Sequence, residues 1–228
     1  MSRSIVGNFT LLDVYLRCPK QAFHKYVARD YPWPKKTRDQ NKGVDHHKVL
    51  AAWVRGAKPS QPEVLFGPAA GLCEKVISST AELYAHSADA KLLVEKQLAI
   101  GWNFLPVEYD DPKAMFRSVL DLAIIIGTRA LLYDWKTGRV WEDPAELLLH
   151  ALLLQSHNQQ VTEMRGTYVW LKENTIGCEY DLSSTLFTAR TLRENMQEFV
   201  QREMWPARKN PLCPWCDLKT CEHWRSRA

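Results

Sequence analysis

The sequence predicts an α/β fold in which a mixed β-sheet is flanked by helices. Three observations carry that expectation. Two short runs rich in Val, Ile and Leu, residues 118–126 and 130–136, flank a turn-like Gly127-Thr128-Arg129 and read as a β-hairpin. Helical periodicity recurs on both sides of the hairpin, over residues 43–54, 68–86 and 185–203. The resulting order, α-α-α-β-β-β-α-β-β-α, is that of a mixed sheet covered by helices.

Each element has a local reason. Thr10 reads as the cap of a helix reaching about residue 27, with Pro19 breaking or restarting it near Cys18. The Pro- and Lys-rich stretch 31–41 reads as a mobile loop, and 55–67, with Pro59 and Pro62, as a linker. Residues 91–101 alternate like a strand. Glu95 lies inside it and reads as a structural carboxylate, with a contribution to a metal region as the alternative. Asp143-Pro144 opens a strongly apolar helix to about residue 157, Pro144 suiting the first turn. Residues 167–172 and 178–182 read as two more strands, and 185–203 as a last amphipathic helix. A chain of 228 residues, 46% of them hydrophobic, can bury one core, so a single domain over residues 1–228 is expected.

Composition narrows the functional classes. No apolar run approaches the ~18 residues of a transmembrane helix, and Met1-Ser2-Arg3-Ser4 lacks a signal-peptide core, so a cytoplasmic protein is expected. The formal charge is only +4, which makes its distribution matter more than its total. Lys35, Lys36, Arg38 and Lys42 follow Trp33, and Arg208, Lys209, Arg225 and Arg227 gather near the C-terminus. Cations mixed with aromatic residues suit single-stranded nucleic acid, whose bases stack while phosphates meet Lys and Arg. Solvated loops are the plainer alternative for each cluster.

The chemistry concentrates in the hairpin. Asp121 sits among apolar residues, and Asp134-Trp135-Lys136 closes the second strand. A carboxylate in so apolar a strand is costly unless it is paired or holds a metal. Asp134 and Lys136, two apart, point to the same face. Two acidic groups can hold Mg²⁺ or Mn²⁺, and an adjacent lysine can position or deprotonate water, a set suited to phosphodiester hydrolysis. The alternative is a buried Asp134–Lys136 salt bridge, with Asp121 exposed at a bulge.

Four of the six cysteines suggest a second centre. Cys213, Cys216 and Cys221 stand in a tight, Pro-rich C-terminal segment, and Cys18 precedes Pro19 near the other end. Clustered cysteines without a secretory signal read as metal ligands sooner than disulfides. Four thiolates would serve either zinc or an iron–sulfur cluster. His223 is a rival fourth ligand, and Trp215 and Trp224 are candidates to shield the site. Cys73 and Cys178 read as buried, inert thiols. His24, His86 and His157 are isolated, which favours surface or packing roles.

Taken in order, Cys18-Pro19 with Phe23 and Tyr26, Gly43-Val44-Asp45-His46-His47, the hairpin Asp121…Asp134-Trp135-Lys136 and the closing cysteine cluster resemble the PD-(D/E)XK nucleases. The resemblance is to the RecB-like branch, in the subset with a four-cysteine iron–sulfur site found in CRISPR-adaptation nucleases, AddB-type subunits and phage exonucleases. It spans residues ~10–223 and implies a restriction-endonuclease-like fold. It implies that His47, Asp121, Asp134 and the Trp135 carbonyl bind Mg²⁺ or Mn²⁺, and that Lys136 is catalytic beside Asp121 and Asp134. It also implies a [4Fe–4S] cluster, or Zn²⁺ in its place, on Cys18, Cys213, Cys216 and Cys221. The family's Q-x-x-x-Y helix pattern is replaced by Glu146 and His150, and Gln155 is a possible substitute from a later turn.

The expected activity is that of a metal-dependent DNA exonuclease. Its substrate would be single-stranded or end-containing DNA in recombination, replication or defence, with recombination or replication proteins as possible partners. The alternative, supported by the altered Glu146/His150 pair, is an inactive nuclease-fold DNA-binding or scaffold subunit.

Overall fold

A computed structural model describes residues 5–32 and 38–225, with the backbone alone for residues 38–44 and Phe187. Among these residues the helices are α1 (Phe9–Arg17), α2 (Pro19–Ala22), α3 (Arg38–Val54), α4 (Pro62–Phe66), α5 (Ala70–Ala85), α6 (Ala145–His157) and α7 (Thr185–Gln201). The strands are β1 (Lys91–Ile100), β2 (Pro106–Val107), β3 (Phe116–Ile126), β4 (Arg129–Lys136), β5 (Glu163–Trp170), β6 (Thr175–Ile176) and β7 (Tyr180–Asp181). They form one seven-stranded sheet in the order β2-β1-β3-β4-β5-β6, with β7 paired to β5. The β3–β4 pair is antiparallel and β4–β5 is parallel, so the sheet is mixed and helices flank it, as the sequence predicts.

The hairpin follows from its turn. Ile126 pairs with Arg129, leaving Gly127 and Thr128 as a two-residue connection. Gly127 takes φ +56°, the conformation that a type II′ turn demands of its first central residue. The parallel β4–β5 pairing needs a crossover, and α6 supplies it. Seven of its thirteen residues are buried, which explains a sequence apolar on nearly every side.

The chain forms two compact units. The first to consider comprises Lys36–Leu98 and Ser118–Thr188. Its core joins Leu50 and Trp53 of α3, Phe66 of α4 and Cys73, Val76 and Ile77 of α5 to Leu122, Trp135 and Val169 on the sheet and to Leu171 just after β5. The other comprises Met1–Lys35, Ala99–Arg117 and Ala189–Ala228. There Tyr15 of α1 meets Phe199 edge-on at 5.2 Å, and Phe199 meets Trp205 at 5.3 Å. Arg202 donates to the Tyr15 hydroxyl at 2.7 Å.

Several local expectations are corrected. Asn8, not Thr10, caps α1, its side chain accepting from the Leu11 N–H at 2.8 Å. Pro19 restarts the helix as expected, and a π turn follows over Phe23–Val27. The loop expected to residue 41 ends earlier, because α3 begins at Arg38; Trp33, Lys35 and Lys36 lie outside the described residues. The 55–67 linker contains α4, which Pro62 opens at its first turn. β5 starts at Glu163, four residues before the expected strand, while 178–182 contracts to β7 and the two-residue β2 and β6 are additions. These short edge pieces lack the alternation by which strands are read.

Candidate functional site

The sheet and its helices bring two groups of metal-capable side chains together within the 36–98/118–188 unit. His47 of α3, Glu95 of β1 and Asp121 of β3 each offer a ligand atom, all within 4.8 Å of one another. His47 Nδ1 lies 3.1 Å from Asp121 Oδ1 and 3.8 Å from Glu95 Oε1. Burial opposes charging of this imidazole, but hydrogen bonds and negative charge from Asp121 and Glu95 prevail and hold its pKa up at about 10. His46, one residue earlier and about 100° around the helix, packs its ring 5.1 Å from Phe66 instead. That separation resolves the two adjacent histidines.

Glu95 belongs to this group, the placement that its alternative reading as a contributor to a metal region calls for. Its backbone takes φ +49° in the middle of β1, a left-handed conformation costly for any residue with a side chain. Period-2 alternation therefore fails at this point, and the sequence carries no signal for the direction of the carboxylate. Strain at a site of convergence is where functional constraint outweighs local preference.

Asp121 is tied to the opposite strand as well. The Trp135 N–H donates to its Oδ2 at 2.8 Å. Leu171 N–H donates to the Lys136 carbonyl at 2.8 Å, so the backbone of Lys136 faces β5. Strand alternation then turns the Trp135 N–H and carbonyl towards β3, beside Asp121. The Trp135 side chain is buried in the helix-facing core.

The second group is Asp134, Glu146 and His150, whose ligand atoms also lie within 4.8 Å of one another. Asp134 is 3% exposed. Lys136 Nζ stands 2.9 Å from Asp134 Oδ1 and 2.6 Å from Glu146 Oε2, above the Tyr168 ring at 5.3 Å. His150 Nδ1 is 3.8 Å from Asp134 Oδ2, while its Nε2 hydrogen-bonds with Ser118 Oγ at 2.9 Å. Burial pushes the Asp134 carboxyl above the ordinary carboxylate range; the Lys136 charge counters this and Asp121 adds to it. Burial disfavours the Lys136 ammonium, yet Asp134 and Glu146 outweigh it and hold the amine above its usual range. The ammonium is thereby held as a hydrogen-bond donor between the two carboxylates.

Glu146 and His150 are the residues that family-pattern reasoning undervalued. Their i, i+4 spacing puts both on one face of α6, and that face meets Asp134 and Lys136. Gln155 does not replace them: its amide donates to the Val161 carbonyl at 3.1 Å and its oxygen accepts from Thr185.

In the other unit, Cys18, Cys213, Cys216 and Cys221 line one cavity together with Lys20, Gln21 and Trp224. Asn210 N–H donates to Cys213 Sγ at 3.3 Å and the Gln21 amide to Cys216 Sγ at 3.6 Å. Lys20 pairs with Glu222 at 2.7 Å, and Asp217 N–H donates to the Tyr31 hydroxyl at 3.0 Å, tying tail to N-terminal helices. Among the described residues the cysteines form no trio of sulfurs within 4.8 Å. Trp224 lines the cavity, whereas Trp215 is 58% exposed and does not shield it. Cys73 is buried and its thiol is pushed up to about 12; Cys178 is exposed, contrary to expectation, and contacts Glu142 at 3.1 Å. His24 pairs with Asp30 at 2.8 Å and His86 contacts the Glu82 carbonyl, neither near a candidate ligand set.

Among the described residues no helix is long and apolar enough to cross a membrane. No curated protein matches the chain. A solved structure described as the crystal structure of SSO0001 is similar at 15% identity and a TM-score of 0.45, covering 99% of this chain and 90% of that one. A likeness at that level carries no functional argument. The model of the PD-(D/E)XK nuclease superfamily, whose members use divalent metals, matches residues 8–221. With nearly its whole length matched, this chain belongs to the PD-(D/E)XK nuclease superfamily.

Proposed function

We propose that the protein is a metal-dependent deoxyribonuclease of the RecB-like branch, an exonuclease on single-stranded or end-containing DNA. In this reading the chain is one nuclease domain, serving recombination, replication or defence, with proteins of those processes as partners. The observation that carries it is the convergence of His47, Glu95 and Asp121, from a helix and two strands, within 4.8 Å. Two carboxylates, an imidazole and the nearby Trp135 carbonyl are a donor set that fits Mg²⁺ or Mn²⁺. Asp134 joins them from β4, coupled through its charge to Asp121. Such an ion activates water and offsets charge on the scissile phosphate. Lys136, held charged by Asp134 and Glu146, donates to that water or to a phosphate oxygen. Glu146 and His150 orient Lys136 and Asp134, so their departure from Q-x-x-x-Y does not argue for an inactive scaffold.

The cysteine site is read as a [4Fe–4S] centre on Cys18, Cys213, Cys216 and Cys221, with zinc as the alternative. It joins residues about two hundred positions apart, so its role is to fasten the tail to the N-terminal helices. Anaerobically purified protein should be brown, absorbing near ~400 nm, and Cys216→Ser should be colourless. Colourless wild-type protein carrying zinc overturns the cluster assignment.

Activity is tested with end-labelled single- and double-stranded DNA in Mn²⁺ or EDTA. Cleavage should need the ion and start from ends, and Asp134→Ala and Lys136→Ala should each lower it by at least ~10²-fold, the scale of one lost electrostatic donor. Undiminished cleavage by either variant sinks the assignment, and cleavage of a circular single strand sinks the exonuclease reading.

A further inference from the structure

The unit that holds the cysteines contains a second cavity of about 440 Å³, within the range of roughly 300–1,000 Å³ typical of ligand pockets. Its polar lining comprises Asn8, Lys25, Tyr26, Arg29, Asp110 and Arg117. Lys25, Arg29 and Arg117 line it with a single carboxylate, Asp110, and the Lys25 ammonium also lies 4.7 Å over the Tyr31 ring. The Arg117 guanidinium stacks 5.4 Å over the Tyr109 ring, and its Nη1 donates to the Tyr109 carbonyl at 3.4 Å.

Two backbone irregularities fall on the same wall. Lys25 and Tyr26 lie in the π turn Phe23–Val27, where Ala28 N–H bonds to the Phe23 carbonyl at 2.9 Å. Single π turns recur at functional sites, because they shift side chains away from α-helical positions. Arg29, immediately beyond, takes φ +58°. A left-handed arginine costs conformational energy, and no glycine or asparagine relieves it. Strain, positive charge and an aromatic ring thus coincide at one cavity, outside the candidate catalytic groups.

We propose that this cavity is a docking site for the backbone of single-stranded nucleic acid, Lys25, Arg29 and Arg117 each taking a phosphate while Tyr26 stacks a base. Cations beside an aromatic platform form the pattern by which single strands are held without sequence preference. A duplex keeps its bases stacked on one another and gains nothing from Tyr26. The inference shares with the proposed function only the nucleic-acid substrate; it does not depend on cleavage.

The test is binding of a fluorescent oligo-dT to the full chain in EDTA over a range of salt. Three phosphate contacts on a single strand predict a slope of log K against log[salt] of about −2, from ~0.7 per phosphate. Arg29→Gln should reduce the slope by ~0.7, and Arg29→Glu should weaken binding ~10-fold or more. Arg29 is exposed, so neither variant threatens the fold. Lys25→Gln should act like Arg29→Gln, and Tyr26→Leu should weaken the single strand without changing the slope. Wild-type slope and affinity in both arginine variants overturn the proposal. So does equal loss for an oligomer duplex, or displacement of the oligomer by millimolar inorganic phosphate, which would mark a small-anion pocket. Hydrolysis of bis(p-nitrophenyl) phosphate in Mn²⁺ reads the catalytic groups alone and should be unchanged in Arg29→Glu. Its absence from wild-type protein would count against the nuclease reading while leaving the docking result intact.

Discussion

Lys136→Met separates the electrostatics of the site from its chemistry. The ammonium lies 2.9 Å from Asp134 and 2.6 Å from Glu146. The Asp134 side chain is only 4% exposed, whereas Lys136 and Glu146 each keep 26% of theirs in water. Removing the ammonium leaves a buried carboxylate with His150 at 3.8 Å and the negative Asp121 nearby. Breaking a buried pair from one side costs ~3–5 kcal/mol, and the partial exposure of Lys136 puts this case at about 3 kcal/mol. For a chain of this size each kcal/mol shifts Tm by ~2–4 °C, which gives a fall of about 6–12 °C. The assay is a thermal melt in EDTA at pH 8.

The pH dependence fixes the cause. The folded pKa of Asp134 already lies above its unfolded value, and loss of Lys136 raises it further. The folded variant then binds its proton more tightly than the unfolded chain does. Its stability therefore declines as pH rises from the ordinary carboxylate pKa, ~3.9, through the raised folded value. The deficit should shrink towards pH 5, and adding Asp134→Asn should recover most of it. A Tm within ~2 °C of wild type at pH 8, or a loss that neither acid nor Asp134→Asn relieves, refutes the reasoning.

Three other outcomes are expected. Gly7→Ala should cost ~1–3 kcal/mol in a denaturant titration, because its Cβ would lie 2.6 Å from the Phe116 ring and 2.9 Å from the Met115 carbonyl; an unchanged midpoint contradicts that contact. In EDTA, the His47 contribution to stability should be fully present below pH ~6.5 and fade as pH rises towards about 10, since its folded pKa is raised. His47→Gln should flatten that slope in pH-dependent melts and weaken Mn²⁺ binding by calorimetry, and an unaltered profile counts against the pairing with Asp121 and Glu95. Asn8→Ala should lose ~1 kcal/mol through the α1 cap, whereas Thr10→Ala should change stability by less than half of that in the same titration.

The hairpin was legible because period and turn chemistry agree: apolar runs, a glycine where φ must be positive, and Asp134 two residues from Lys136. His47, Asp121 and Lys136 could be named because their motifs are local and their order along the chain is itself a pattern. Glu95 could not, since its direction depends on a left-handed backbone that alternation rules do not anticipate. Glu146 and His150 carried a misleading signal, because they differ from a family pattern yet meet Lys136 and Asp134.

The amino-acid order by itself determined the fold class, the hairpin and the donor types, all properties of residues within a few positions of one another. Only the tertiary structure decided which donors share a point in space: that His47 faces Asp121 while His46 packs on Phe66, and that four cysteines from opposite ends line one cavity. The reason is physical. Periodicity and propensity act over one or two turns of chain, whereas a binding site is set by how helices and strands pack. A rotation of about 100° per residue on a helix, or one reversed step on a strand, moves a ligand from the site to the core.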